Sequence, residues 1–387
     1  MLAFAPIKRE PVITAVSNEK DPERAAQYLF QGLNEANLSL VLFFCSTDYD
    51  LQALSTALGE RFNGVPVVGC TTAGEITPLG YSSGSITGIG FRADYFSIQS
   101  ALVEDLSRFT FADAQVLVHD MLDRVKETQV APIKGHSFVL ALLDGLSIRE
   151  EQLLNVLNAN LGSIPLLGGS AGDDLNFKDT HVYFDGQFHS DAAILIMVNT
   201  RCDFEVFSIH HLVDTPEKMV VTAADSEQRR VLELNAVPAA LEYSRSVGVP
   251  VEELDSLTFA LNPLSVRIGD RYYPRAIQRA NDDMSLSFYC AIETGIVLTK
   301  SKPQALTEDL QQLFSQLRSR LGEPQLVIGY DCIFRRLEIE HHGQVDQVSR
   351  ILEANRVIGF STYGEQFDGM HLNQTFTGVA IGGARFE

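Results

Sequence analysis

Four short stretches of this chain collect the residue types that chemistry uses. VPVVGCTTAGEI (residues 65–76) runs out of an apolar strand into Gly69, Cys70, Thr71, Thr72, Gly74 and Glu75. VIGFSTYGEQF (357–367) carries Ser361, Thr362, Gly364 and Glu365, and MHLNQT (370–375) adds His371 and Asn373. YYPR (272–275) ends in Arg275. Small residues, hydroxyls and a carboxylate in a turn could cradle a phosphate, present a thiol nucleophile, or line a ligand pocket. The first two fail on chemistry. A Walker loop needs a lysine after its last glycine, and Glu75 stands there and would repel a phosphate. A dinucleotide fingerprint opens a helix, and Ile76-Thr77-Pro78 cannot continue one. Cys70 is replaced by Gly169 and Phe360 in the two related stretches below, so no thiol role is shared, and a small buried residue explains it. The pocket reading stays open beside a purely structural one, in which the glycines permit close packing and the glutamates cap backbone amides.

His371 stands just after the third turn and before a strand, where it is either a hydrogen-bonded structural residue or a ligand. Arg275 is either a surface ion pair or a grip on a carboxylate or propionate. His210 and His211 close an apolar segment, and His341-His342 reads as a loop.

These residues sit on a repeated frame. LSLVLFFCS (38–46), a helix over 50–62 and the 65–76 stretch give strand, helix, strand, small-residue turn. SFVLALL (137–143), a helix over 148–161 and IPLLGGSAGDDL (164–175) repeat it. QLVIGY (325–330), a helix over 344–355 and 356–367 repeat it again. Gly69, Thr72, Gly74 and Glu75 match Gly359, Thr362, Gly364 and Glu365 at identical spacing. The second copy is degenerate, with Asp173 and Asp174 in place of the glutamate. A fixed supersecondary unit in three copies argues for an internally repeated architecture. VITAV (12–16) predicts an opening strand, 22–36 a helix, and 84–91, 192–198 and 374–382 strands after each turn. Thr215-Pro216 suggests a boundary, with residues 1–215 and 216–387 as two domains. The fold class expected is α/β with mixed sheets.

Composition sets the class. The chain has 387 residues, 45% hydrophobic and 21% charged, with a formal net charge of −20. That describes a globular chain with a large core and argues against nucleic acid as a partner. Five scattered cysteines without metal spacing suit a reducing compartment. No signal peptide and no 18-residue apolar run are read, so a cytoplasmic location without membrane insertion is expected.

VVGCTTAGEI, LNAVPAALEYSRSVG and VIGFSTYGEQF followed by MHLNQT together resemble the FIST family, and its FIST N and FIST C parts would cover nearly the whole chain. The resemblance implies a sensory protein that binds a small ligand. GCTTAGEITPLGYSSGSITG and DCIFRRLE (331–338) further resemble the NosP branch of haem-based nitric oxide sensors. That likeness implies haem b as cofactor, nitric oxide as signal, a partner histidine kinase or cyclic-di-GMP enzyme, and an effect on biofilm formation. His371 is then the expected metal ligand and Arg275 a propionate partner. Cys70, Thr71, Thr72, Gly74 and Glu75, with Ser361, Thr362, Gly364, Glu365 and Asn373, are the expected ligand-binding set. No catalysis is expected, and a homo-oligomer is a further expectation. The alternatives are a sensor of an amino acid or other small metabolite, an enzyme using Glu75 and Glu365 as acid and base, and a ligand-free interaction module.

Overall fold

LSLVLFFC is apolar at every position but one because both of its faces are buried. Leu40, Leu42 and Phe44 face a core shared between sheets, while Val41, Phe43 and Cys45 face helices. The whole molecule elaborates that arrangement. A computed structural model describes residues 10–34 and 37–384. The readings made on residues 1–9, on the end of the 22–36 helix and on 385–387 lie outside them.

The first unit comprises β1 (Val12–Ser17), α1 (Pro22–Leu33), β2 (Leu38–Cys45), α2 (Leu51–Arg61), β3 (Val67–Thr71), β4 (Glu75–Thr77), β5 (Gly80–Ser82) and β6 (Ile86–Arg92). The second repeats it as β7 (Phe96–Glu104), α3 (Phe111–Thr128), β8 (Ser137–Leu143), α4 (Glu150–Leu161), β9 (Leu166–Ser170), β10 (Val182–Phe184), β11 (Gln187–His189) and β12 (Ala192–Thr200). The third opens with β13 (Cys202–Ile209) and is then interrupted. The inserted region holds β14 (Leu212–Asp225), β15 (Arg230–Leu234), β16 (Val237–Pro238), α5 (Ala239–Val247), α6 (Ser256–Leu261), β17 (Leu264–Ile268), β18 (Arg271–Pro274), β19 (Ile277–Ala280), β20 (Leu286–Phe288) and β21 (Val297–Pro303). The third unit resumes with α7 (Leu306–Leu321), β22 (Leu326–Cys332), α8 (Ile333–His341), α9 (Val345–Ala354), β23 (Val357–Thr362), β24 (Glu365–Phe367), β25 (Met370–Leu372) and β26 (Phe376–Ala384).

Each unit builds a six-stranded sheet, and each sheet has the same order. They run β1-β6-β2-β3, β7-β12-β8-β9 and β13-β26-β22-β23, with one parallel pair in each, and every one is completed by a hairpin from another unit. The hairpin β4–β5 pairs with β23, β24–β25 with β9, and β10–β11 with β3. The exchange is cyclic: first to third, third to second, second to first. The inner faces of all three sheets meet in one core containing Phe44, Leu142, Tyr330 and Phe360. The outer faces are covered by α1 and α2, by α3 and α4, and by α7, α8 and α9.

The inserted region forms its own antiparallel sheet over a separate core that includes Tyr243, Phe259 and Tyr289 and reaches Phe334 and Tyr363 of the third unit. Residues 215 and 216 lie within β14. His341 ends α8, which corrects the loop read for it, while His342 caps the helix and lies in the turn that follows. The second unit departs from the other two in register. Its hairpin starts at Val182, fourteen residues after Gly168, whereas Glu75 and Glu365 stand six residues after Gly69 and Gly359. The position of the two glutamates is therefore held by Val182, and Asp173 and Asp174 belong to the added loop. No helix among the described residues is long and apolar enough to cross a membrane.

Candidate functional site

The Gly-Glu turns of the first and third units meet the turn of the second where the three sheets converge. Ala73 N–H donates to Ser361 O at 3.0 Å, Gly172 N–H to Thr71 O at 3.1 Å, and Ser170 N–H to Gly364 O at 2.8 Å. Glu75 is wholly buried and accepts from Thr72 Oγ1 at 2.5 Å, Ser85 Oγ at 2.6 Å and Ser85 N at 3.1 Å. Glu365 repeats this set with Thr362 Oγ1, Thr375 Oγ1 at 2.8 Å and Thr375 N at 3.2 Å. Each glutamate thus ties its own turn to the strand three positions before and ten after. Burial outweighs those donors and pushes the Glu75 carboxyl up to about 7 and the Glu365 carboxyl up to about 8. Thr71 Oγ1 accepts from His181 N at 3.0 Å. Gly74 turns with φ +113°, a conformation that favours glycine. Cys70 is wholly buried and its thiol is pushed well up by that burial, so it is held as a thiol. Ser361 is wholly buried, and its hydroxyl has no partner among the described residues.

Beyond each turn the hairpin lies against the helix of the unit that receives it. Tyr81 and His371 occupy the same place on their hairpins, opposite Ile76 and Gln366. Tyr81 is satisfied. Its hydroxyl donates to Asp331, which accepts Arg335 Nε at 2.6 Å; Arg335 Nη1 donates to His211 Nδ1 at 2.8 Å, and His211 Nε2 lies 2.8 Å from Glu338. Arg335 is 1% exposed, so this chain of charges is interior.

His371 is 4% exposed, and neither ring nitrogen has a partner among the described residues. Burial lowers its pKa, and the charges acting on it are Glu150, Glu151, Arg229 and Arg275. A Cβ on Gly364 would lie 2.2 Å from the ring's Cε1 and 2.5 Å from Nε2, so only glycine lets the turn pass there. Arg229 donates to Glu150 at 2.6 Å, to Glu151, and to Tyr289 O at 2.6 Å. Asn373 Oδ1 accepts from Ala276 N at 3.4 Å. The structure therefore gathers His371, Gly364, Asn373 and Arg275 at one seam, between the third unit's hairpin, the start of α4 and the inserted region. Cys70, Thr71, Thr72, Gly74 and Glu75 lie on the corresponding turn of the first unit, apart from that seam.

Haem on His371 needs an apolar slot beside the ring. The charges acting on the ring are instead two carboxylates and two guanidiniums, and Gly364 passes close to its Cε1–Nε2 edge. These surroundings do not fit a porphyrin on His371. The opposite face of β25 offers a different space. A cavity of about 490 Å³ lies between β13, β18 and the β24–β25 hairpin, floored by Ile209, Phe367, Met370 and Leu372 and walled by Tyr272 and Tyr273. His210, Asp214 and Arg271 also line it. Burial first, and His211 second, lower the His210 pKa. Its Nδ1 accepts from Leu212 N at 3.4 Å. This donor set fits haem in type: an imidazole, aromatic and apolar walls, and an arginine. No sequence signal singled out Glu150, Glu151 or Arg229, because their association depends on where the inserted region lands on the second unit.

The FIST N domain matches residues 39–237 and the FIST C domain residues 239–368. An uncharacterised protein of Methanocaldococcus jannaschii is 24% identical over 265 residues, covering 59% of this chain and 51% of that relative. The chain thus spans about half the length of the curated relative it matches. FIST domains are small-ligand sensory domains of signalling proteins. With both parts present in order over most of its length, this chain belongs to the FIST family.

Proposed function

We propose that this FIST protein is a haem-based sensor of nitric oxide that passes its signal to a partner histidine kinase or cyclic-di-GMP enzyme. The observation that carries the reading is the aromatic cavity of about 490 Å³ with His210 and Arg271 on its lining. Bound haem would supply an iron that takes up nitric oxide. His210 would hold it through a neutral imidazole, which the lowered pKa favours. Arg271 would meet a propionate, and Tyr272, Tyr273 and Phe367 would lie against the apolar ring faces. A change at His210 has a direct route inward, because the next residue, His211, is fixed between Arg335 and Glu338. The coupled equilibrium would then be the arrangement of α8 against the inserted region.

The test is an absorption spectrum of protein loaded with haemin, oxidised, reduced and exposed to nitric oxide. A sharp Soret band that moves with nitric oxide, survives in His371→Ala and is lost in His210→Ala is the expected result. Haemin removed by a desalting column sinks the haem reading. Loss in His371→Ala with retention in His210→Ala returns the ligand to His371.

A further inference from the structure

We propose that the outer edge of β7, with the face of α3 beside it, is a docking surface for an extended segment of a partner protein that presents an apolar residue between two basic ones at every second position. β7 is the outermost strand of the second unit's sheet and pairs, among the described residues, with β12 alone, in an unbroken register from Phe96 to Glu104. Ile98 N–H points away from β12, since it donates to Ser39 Oγ at 3.2 Å. In an antiparallel pair every second residue directs its N–H and C=O to the same side. The N–H and C=O groups of Ser100, Leu102 and Glu104 therefore form an open edge, and none of them has a partner among the described residues. Edge strands are ordinarily blunted by lysine, proline or a bulge, because a bare edge recruits another strand. FSIQSALVE has no lysine and no proline, its pairing has no bulge, and its single charge is Glu104 at the end.

A groove runs beside this edge. It is a cavity of about 540 Å³ that touches three consecutive residues of β7, Leu102, Val103 and Glu104. Consecutive strand residues point to opposite faces, so a space that meets three in a row lies along the edge. Its other wall is a stripe of α3. Ala114, Val118, Met121 and Val125 bury one face of that helix, while Asp113, Val116, Leu117 and Asp120, at helical spacing, line the cavity. Val116 is 71% exposed, the most exposed large apolar side chain among the described residues. Every charged residue on the lining is acidic: Glu104, Asp113 and Asp120. Asp120 meets Arg124 at 2.9 Å, Glu104 meets His189 at 3.5 Å, and Asp113 accepts from Thr110 at the helix cap. All three carboxylates are exposed, and contacts of that kind are weak enough to admit a further cation. Asp113 and Asp120 lie about 10 Å apart along the helix, and side chains on one face of a strand recur about every 7 Å. An apolar side chain over Val116 and Leu117 thus has a lysine or arginine two residues away on either side within reach of a carboxylate. A second copy of this chain does not fit, because two β7 edges would bring two acidic grooves together. The surface does not rest on the haem reading, and it gives the partner in that reading a place to dock.

The experiment is titration of the full chain, free of haem, with the capped peptide Ser-Lys-Thr-Val-Thr-Lys-Ser, and with the same peptide carrying glutamate in place of lysine. A chain of net charge −20 attracts any basic peptide, so the deciding readout is local: amide exchange followed by NMR. The lysine peptide at millimolar concentration should slow exchange at Ser100, Leu102 and Glu104 and change little at Ala101 and Val103, whose amides already face β12. The glutamate peptide should leave the edge unprotected. Val116→Lys, at an exposed position, should weaken binding about tenfold or more and remove the protection. Ser100→Pro deletes one edge donor where a strand tolerates proline and should weaken binding as well; if it does not fold, Val116→Lys carries the test. Exchange that slows nowhere on this edge, or equal affinity in Val116→Lys, overturns the proposal. Sedimentation that shows a dimer dispersed by Val116→Lys assigns the edge to a second copy and overturns the partner reading.

Discussion

The hairpins of the first and third units are the same device used twice with different ends. Glu75 and Glu365 each accept from a threonine three residues earlier and from the backbone and hydroxyl ten residues later. Six residues beyond each glutamate the match stops being chemical: the equivalent positions are Tyr81, closed into a buried charge chain, and His371, left open. Repetition set the scaffold, and the two seams diverged only where a side chain meets the receiving helix. The closed seam pairs its buried groups across two units, and the open one leaves both imidazole nitrogens without a partner among the described residues.

The largest effect should come from the closed seam. Arg335→Ala leaves Asp331 and Glu338 as buried charges without their cation, and urea unfolding should show a loss of about 3–5 kcal/mol. A loss below about 1 kcal/mol would mean this seam is not the stronger of the two. Next, Glu365→Ala and Glu75→Ala should each cost about 2–4 kcal/mol by stranding two buried hydroxyls and a backbone amide. The two values should agree within about 1 kcal/mol if the turns are equivalent.

The same carboxyls set a pH dependence. Their folded-state values, about 7 and about 8, stand above the ordinary 4.5. Each therefore binds its proton more tightly folded than unfolded. Their contribution is complete below about pH 4.5 and is lost as pH rises through 7 for Glu75 and 8 for Glu365. Unfolding midpoints followed from about pH 4 to 9 should fall less in Glu365→Gln than in the parent protein. Gly364→Ala drives a methyl into the His371 ring and should cost about 1–3 kcal/mol. The smallest effect sharpens the contrast most. Tyr81→Phe strips Asp331 of a donor and should cost about 1–3 kcal/mol, whereas His371→Phe removes no bond and should stay within about 1 kcal/mol of the parent. Equal losses for the two would erase the distinction between the seams.

The repeated turn is legible in the sequence because its bonds are local. A threonine, a glycine and a glutamate at fixed spacing are enough to build it, so the first-to-third match survives in the letters. The strands read as apolar runs for the same reason. The second unit's register is not legible, because an added loop moves its hairpin away from the turn that aligns with the others. α8 is hidden since it follows β22 with no intervening turn residue and begins with Ile333-Phe334, which reads as more strand. At the seam, His371 and Arg275 stand out by type. Arg229 and its acids, 79 and 78 residues apart in sequence, are neighbours only once the inserted region is in place.

The cyclic hairpin exchange also dictates a timetable. The second unit's sheet waits for Glu365–Phe367, and the third unit's sheet needs the first unit's Glu75–Thr77. On a ribosome, the edge of β9 would remain uncovered until residues 365–367, some two hundred positions later, had been synthesised. Such long-range pairing makes folding slow and leaves an exposed strand edge in the nascent protein. Truncation before the β24–β25 hairpin should therefore yield an aggregating fragment rather than a smaller folded protein.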